Sequence, residues 1–198
     1  QLISEFSFEK LDVQDLMHVG QVIFGKENAI SFFGFGPKQF ISQGLKLNGR
    51  AAAESTVDVH AKKIIALIEK DLTDLGIKEY CFIDAFAGAG NMTYHINESL
   101  KPAKIISSDK NPNIYATLKE NFTTLGVKPS PFFFGGDLMT NERLAAIVGD
   151  YQNVVIFIDA PWGEGFDPKK GLDLKKTRPG VDSIISNFKY VYRITISL

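Results

Sequence analysis

Val154-Val155-Ile156-Phe157-Ile158 is an unbroken apolar run that stops on Asp159 and is followed by Ala160, Pro161, Trp162 and Gly163. Five β-branched or aromatic residues in a row do not alternate between core and water. They read as a strand covered on both faces, the condition of a parallel sheet. Pro161 cannot donate a ladder hydrogen bond, so the strand ends before it and leaves Asp159 and Trp162 at its carboxyl tip. In open α/β sheets, ligands bind at such tips. An acid beside a flat ring suits a planar group bearing an amine: the carboxylate accepts from N–H while the ring stacks on the face.

The same arrangement recurs upstream. Tyr80-Cys81-Phe82-Ile83 stops on Asp84 and enters Ala85-Phe86-Ala87-Gly88-Ala89-Gly90-Asn91. The glycines permit a tight turn and close approach of backbone to a ligand, and a helix follows. A short run over 104–108 ends at Asp109, about 20 residues past the glycine turn, where such folds hold a ribose by its hydroxyls. Phe132-Phe133-Phe134-Gly135-Gly136 ends at Asp137. An acid at one strand end commonly caps the next helix. Four of them, each closing an apolar strand and separated by helical stretches, form the repeating β-α pattern of a mostly parallel sheet with helices on both faces.

The spacing predicts strands over 79–84, 104–108, 131–135, 153–158 and 190–198. It predicts helices over 55–75, 91–99, 112–125, 141–148 and 181–187. Ser55 or Thr56 would cap the first helix, with Val59, Ile64, Ile65, Leu67, Ile68 and Leu72 as its buried stripe. Ile114, Leu118 and Phe122 would face inward from the third. Residues 1–50 begin with an amphipathic stretch (Phe8, Leu11, Val13, Leu16, Met17) and continue rich in glycine and phenylalanine; Gly34-Phe35-Gly36-Pro37 reads as irregular. The chain therefore divides into an N-terminal extension, 1–50, as a candidate substrate-recognition segment, and a main domain, 51–198.

Taken together, Asp84 to Asn91, Asp109, Asp137 and Asp159-Ala160-Pro161-Trp162-Gly163 resemble the class I S-adenosylmethionine-dependent methyltransferases, an α/β, Rossmann-like fold. Within them, the Asp-x-Phe-x-Gly-x-Gly-Asn turn and Asp-x-Pro-Trp-Gly are similar to the RNA cap guanine-N2 (trimethylguanosine synthase-like) family. Gly44-Leu45-Lys46-Leu47 and Ser55-Thr56-Val57-Asp58 are similar to its lead-in, and the resemblance spans roughly 40–198. It implies S-adenosylmethionine as cofactor, with Asp84 pairing with its ammonium and Phe86, Gly88, Gly90 and Asn91 lining the pocket. Asp109 would hold the ribose and Asp137 the adenine amine, with Leu138 packed on the ring. Asp159, Ala160, Pro161 and Trp162 would be catalytic, Trp162 also stacking on the substrate base. The sequence departs from the family at Ala160, where proline is usual; alanine keeps the carbonyl but not the fixed φ. It also ends before the two-stranded terminal hairpin of such domains, which implies a truncated chain.

These features point to methylation of an exocyclic amine, first of all guanine N2 in a 7-methylguanosine RNA cap. The alternatives are adenine N6 or N2 of an internal guanine, and a non-catalytic cofactor-binding subunit that supports a partner protein or missing domain. A formal charge of −1 argues against coating nucleic acid by bulk electrostatics. A capped RNA end needs only a local patch. Lys169, Lys170, Lys175, Lys176 and Arg178 follow the Trp162 turn directly and could meet phosphates, or simply form a solvated face; Lys38, Lys46 and Arg50 would extend the patch. The lone Cys81 falls inside a predicted strand, which suits a core residue in a reducing, intracellular compartment. No signal peptide or apolar run of about 18–20 residues points to a membrane. His18, His60 and His95 are scattered without partners at ligand spacing, so no metal site is expected.

Overall fold

The apolar runs pair into one parallel sheet in the computed structural model, which describes residues 10–128, 130–136, 141–161, 166–167, 169, 171–177 and 179–189. Its strands are β1 (Cys81–Asp84), β2 (Lys104–Asp109), β3 (Phe132–Gly135) and β4 (Val154–Phe157), in the order β3-β2-β1-β4. Cys81 lies opposite both Lys104 and Val154, and Asp84 opposite both Ser107 and Phe157. Ile106 pairs with Phe132 across the β2–β3 ladder. Observed strand ends fall within two residues of the predicted ones. The predicted strand over 190–198 lies outside the described residues. A two-residue antiparallel pair, β5 (Phe166–Asp167) and β6 (Gly171–Leu172), follows β4 and was not expected from the sequence.

Eight helices are described: α1 (Val13–Phe24), α2 (Pro37–Ser42), α3 (Gly49–Glu54), α4 (Asp58–Asp74), α5 (Asn91–Ser99), α6 (Pro112–Leu125), α7 (Asn141–Val148) and α8 (Val181–Lys189). Successive strand residues point to opposite faces of the sheet. Cys81 and Ile83 accordingly pack with Leu144, Val148 and Ile184 from α7 and α8. Phe82 packs on the other side with Ala61, Ile65 and Ile96 from α4 and α5. Helices thus cover both faces, as the unbroken apolar strands require.

Two details of α4 differ from expectation. The helix opens at Asp58 with Val57 as N-cap and no side-chain cap, so neither Ser55 nor Thr56 serves that role. Ile65 and Leu72 are buried, but Val59 and Leu67 are 53% and 55% exposed. Ala61, Ile65, Ile68 and Leu72 follow one i, i+4, i+7, i+11 stripe, which is wide enough for the single face α4 turns to the core. In α6, Ile114, Leu118 and Phe122 are buried as predicted.

The N-terminal segment builds a core of its own from Leu16, Phe32, Phe33, Phe40 and Leu47, joined by Ala52, Val57 and Ala89. Phe32 and Phe35 exchange backbone hydrogen bonds of 3.0 and 2.9 Å around Gly34, a tight turn. Pro37 is not irregular: it opens α2, where its missing N–H costs nothing. Asn121 of α6 binds this segment to the main sheet. It accepts from the Lys46 N–H at 2.8 Å and donates to the carbonyls of Lys46, at 2.9 Å, and Ala89, at 3.2 Å.

Candidate active site

The winding of the sheet changes direction between β1 and β4, the position at which open α/β sheets leave room for a ligand. The tips of these two strands carry Asp84, the glycine turn and Asp159. The turn is fixed to the neighbouring strand tip by the Ala87 N–H, which donates to the Ser108 carbonyl at 2.8 Å. The Gly88 N–H donates to Asp109 Oδ2 at 3.3 Å, and the Asn111 N–H to Asp109 Oδ1 at 2.8 Å. Asp109 thus ends β2 directly beside the turn. Gly90 has φ 100°, and a Cβ there would sit 2.6 Å from Leu118 Cδ1 and Phe122 Cε2. The close approach that requires this glycine is packing of the turn against α6.

Asp84 is wholly buried. The Thr93 hydroxyl donates to its Oδ2 at 2.6 Å and lies 2.8 Å from the Ser107 hydroxyl, whereas Oδ1 has no partner among the described residues. Burial pushes the carboxyl up to about 7; the Thr93 hydrogen bond opposes this, and the charges of Asp159 and Asp109 add to it. A buried acceptor without a donor, with two further carboxylates near it, suits a cationic ligand rich in N–H and O–H donors. S-adenosylmethionine, with a sulfonium, an ammonium and ribose hydroxyls, has that character, so the donor set fits it.

Asp159 is partly buried just past β4, and the Thr56 hydroxyl donates to its Oδ2 at 2.8 Å. Burial raises its pKa; the Thr56 bond lowers it, and the Glu54 charge raises it. Ala160 is buried and Pro161 partly so. Asn91 is buried with both ends of its amide engaged inside the protein. Its Oδ1 accepts from the Phe33 N–H at 2.6 Å and its Nδ2 donates to the Thr56 carbonyl at 2.8 Å. Phe86 is partly buried against the Cys81–Ile83 side of the core. Trp162, Asp137, Leu138, Lys170 and Arg178 lie outside the described residues.

Lys169, Lys175 and Lys176 are exposed, with Lys176 3.8 Å from Asp173. Lys38 is exposed as well, and Lys46 pairs with the exposed Glu120 at 2.9 Å. His95 has a partner that its sequence spacing did not reveal: its Nε2 lies 2.6 Å from Asp58 Oδ1, and both side chains are buried. Asp58 is held below its ordinary value by His95, against the opposing effect of burial, and its Oδ2 accepts from the Gly34 N–H at 2.9 Å. Among the described residues there is no group of three His, Cys, Asp or Glu side chains able to hold a metal, and no helix long and apolar enough to cross a membrane. The Cys81 thiol is buried and pushed up to about 11 by desolvation, which suits a core residue. Thr93 and Asn121, a hydroxyl and an amide with no motif of their own, were not legible in the sequence, and Thr56, expected as a helix cap, instead holds Asp159.

Among solved structures, the chain is similar to an S-adenosylmethionine-dependent methyltransferase from Clostridium acetobutylicum ATCC 824. The two are 17% identical with a TM-score of 0.40, over 50% of this chain and 37% of that one. A provisionally named transferase from Pyrococcus horikoshii is 19% identical with a TM-score of 0.33, over 57% and 39%. The chain spans about two-fifths of the length of these structures. No curated protein matches it. Residues 79–196, from β1 through the strand-tip acids to the end of α8 and beyond, match the family model described as RNA cap guanine-N2 methyltransferase. The chain therefore belongs to the RNA cap guanine-N2 methyltransferase family.

Proposed function

We propose that this protein methylates the exocyclic N2 amine of guanine in a 7-methylguanosine RNA cap. The observation that carries this reading is Asp159: an oriented, partly buried carboxylate at the tip of β4, next to the strand that bears the glycine turn. When bound, S-adenosylmethionine supplies an electrophilic methyl group on a sulfur that leaves readily. The remaining work is positioning, and that falls to the chain.

Asp109 takes ribose hydroxyls, Asp137 the adenine amine with Leu138 against the ring, and Asp84 supplies negative charge beneath the ammonium end. Phe86, Gly88, Gly90 and Asn91 shape that pocket, Asn91 by holding the turn's helix in place. The amine lone pair is delocalised into the base, so its two N–H groups need acceptors that favour the attack-ready form. Asp159 and the Ala160 carbonyl provide them, and both gain strength as positive charge develops on nitrogen. Pro161 fixes the turn, and Trp162 stacks on the base, whose 7-methylguanine ring is cationic. Lys169, Lys170, Lys175, Lys176 and Arg178 meet phosphates beyond the base. The N-terminal segment, 1–50, contributes to substrate recognition, and its described part packs with Ala89 of the turn.

Transfer of radiolabelled methyl to 7-methylguanosine-capped RNA, uncapped RNA and adenine-containing DNA, run side by side, tests the reading. Label on capped RNA alone supports it. Label on uncapped RNA or DNA moves the target to an internal guanine or adenine, and cofactor binding without label on any substrate favours the non-catalytic subunit.

A further inference from the structure

Asp159 lies past the end of β4 at Phe157, beyond the strand's ladder. Its Oδ2 accepts from the Thr56 hydroxyl, 103 residues away in sequence. Thr56 is itself clamped. Its carbonyl accepts from Asn91 Nδ2, the next residue Val57 is buried, and the Asp58 N–H donates to the Ser31 carbonyl at 3.0 Å. Asn91 is the first residue of α5, directly after Gly90, and its other amide end holds the Phe33 N–H. An unbroken path of hydrogen bonds and one residue therefore runs from the end of the glycine turn to the acid at the tip of β4.

From this path we infer that Thr56 is a positioning residue: it holds Asp159 Oδ2 so that Oδ1 faces the substrate amine, and through Asn91 it ties that orientation to the glycine turn. The inference rests on the reading of Asp159 as the amine acceptor. The hydroxyl does two things at once. It selects one carboxylate rotamer, and as a donor it favours the charged, acceptor-only form. Glu54 of α3 is the charged group that acts on Asp159 and opposes that form, and the Asp159 charge in turn raises the buried Asp84 of β1. Without the Thr56 donor, Asp159 takes up a proton at higher pH, and Oδ1 is no longer held toward the amine as an acceptor.

Thr56→Val keeps the branched shape and removes the donor; Thr56→Ser keeps the donor. In the full chain, Thr56→Val is expected to lower kcat on capped RNA roughly 10- to 100-fold. Affinity for S-adenosylhomocysteine should stay within about twofold, and the acid limb of the kcat profile should move to higher pH. Thr56→Ser should restore both rate and profile. Titration of the Asp159 carboxyl carbon by NMR gives the same answer without turnover: its midpoint should rise in Thr56→Val and return in Thr56→Ser. Thr56→Ala should give the same readings if the valine variant does not fold. An unshifted midpoint, or an unchanged rate in a folded variant of an active parent, overturns the inference. A parent protein that methylates no capped RNA overturns the functional reading instead, and the carboxyl titration then decides alone whether Thr56 orients the acid.

Discussion

The Thr93 hydroxyl donates to Asp84 Oδ2 at 2.6 Å beneath the glycine turn, while Asp84 Oδ1, also buried, has no partner among the described residues. One oxygen is thus tied into the sheet through Thr93 and Ser107, and the other is desolvated without compensation. The cost of that arrangement sits in the folded protein and should be visible in its stability.

The ordinary carboxyl value of 3.8 is raised to about 7 at Asp84, chiefly by desolvation. Between those values the folded state holds a proton that the unfolded chain has released, so stability falls as pH rises through the window. The loss is complete above about 7 and amounts to at most about 4 kcal/mol. Asp84→Asn keeps an acceptor for Thr93 and removes the titration. Its stability relative to the parent should therefore increase from about pH 4 to about pH 8. Urea unfolding midpoints at several pH values check this, and a difference that does not change with pH contradicts it.

Gly90→Ala should destabilise the fold by about 2–4 kcal/mol, combining left-handed backbone strain with overpacking against Leu118 and Phe122. Denaturant unfolding measures the loss. A variant within experimental error of the parent would mean that α6 moves aside freely.

Asp109→Asn retains one acceptor but loses the charge that strengthens hydrogen bonds from ribose hydroxyls, and it disturbs the hydrogen bond from the Gly88 N–H. Calorimetry with S-adenosylhomocysteine should show affinity reduced by about 1.5–3 kcal/mol, roughly 10- to 150-fold. Unchanged affinity in a folded variant removes Asp109 from the cofactor site.

Charge reversal at Lys175 and Lys176 should raise the Michaelis constant for capped RNA and leave cofactor affinity unchanged. Each single-strand phosphate that the protein no longer neutralises should reduce the log–log salt slope by about 0.7. Equal Michaelis constants at low and high salt would make this segment a solvated surface.

The sheet was legible because its strands are short, largely apolar runs that close at or near an acid; β1 is buried throughout, whereas β3 at the edge leaves Phe132 48% exposed. The glycine turn was legible as well, since Gly88 and Gly90 follow β1 without interruption. Thr56 was not. Its hydroxyl has the chemistry of a helix cap, and only the fold reveals that its partner lies 103 residues away. The Asp58–His95 pair, 37 residues apart, was hidden in the same way. Val59 and Leu67 were placed in the core because apolar residues crowd α4, whereas one stripe of that helix suffices to cover the sheet. The phenylalanines of the N-terminal segment gave no period to read, because Phe32, Phe33 and Phe40 meet through a turn and a short helix.

The most direct test of the account is the position of the transferred methyl. Capped RNA incubated with the protein and S-adenosylmethionine would be digested to its cap nucleotide, and the product compared by mass spectrometry and chromatography with N2-methylated standards. The expected product is a cap one or two methyl groups heavier, co-migrating with guanine methylated at N2. Trp162→Ala should abolish this product while still binding S-adenosylhomocysteine, because the proposed role of the ring is to stack on the base rather than on the cofactor. A cap that stays unmodified while the protein binds the cofactor, or a methyl found on any atom other than guanine N2, would contradict it.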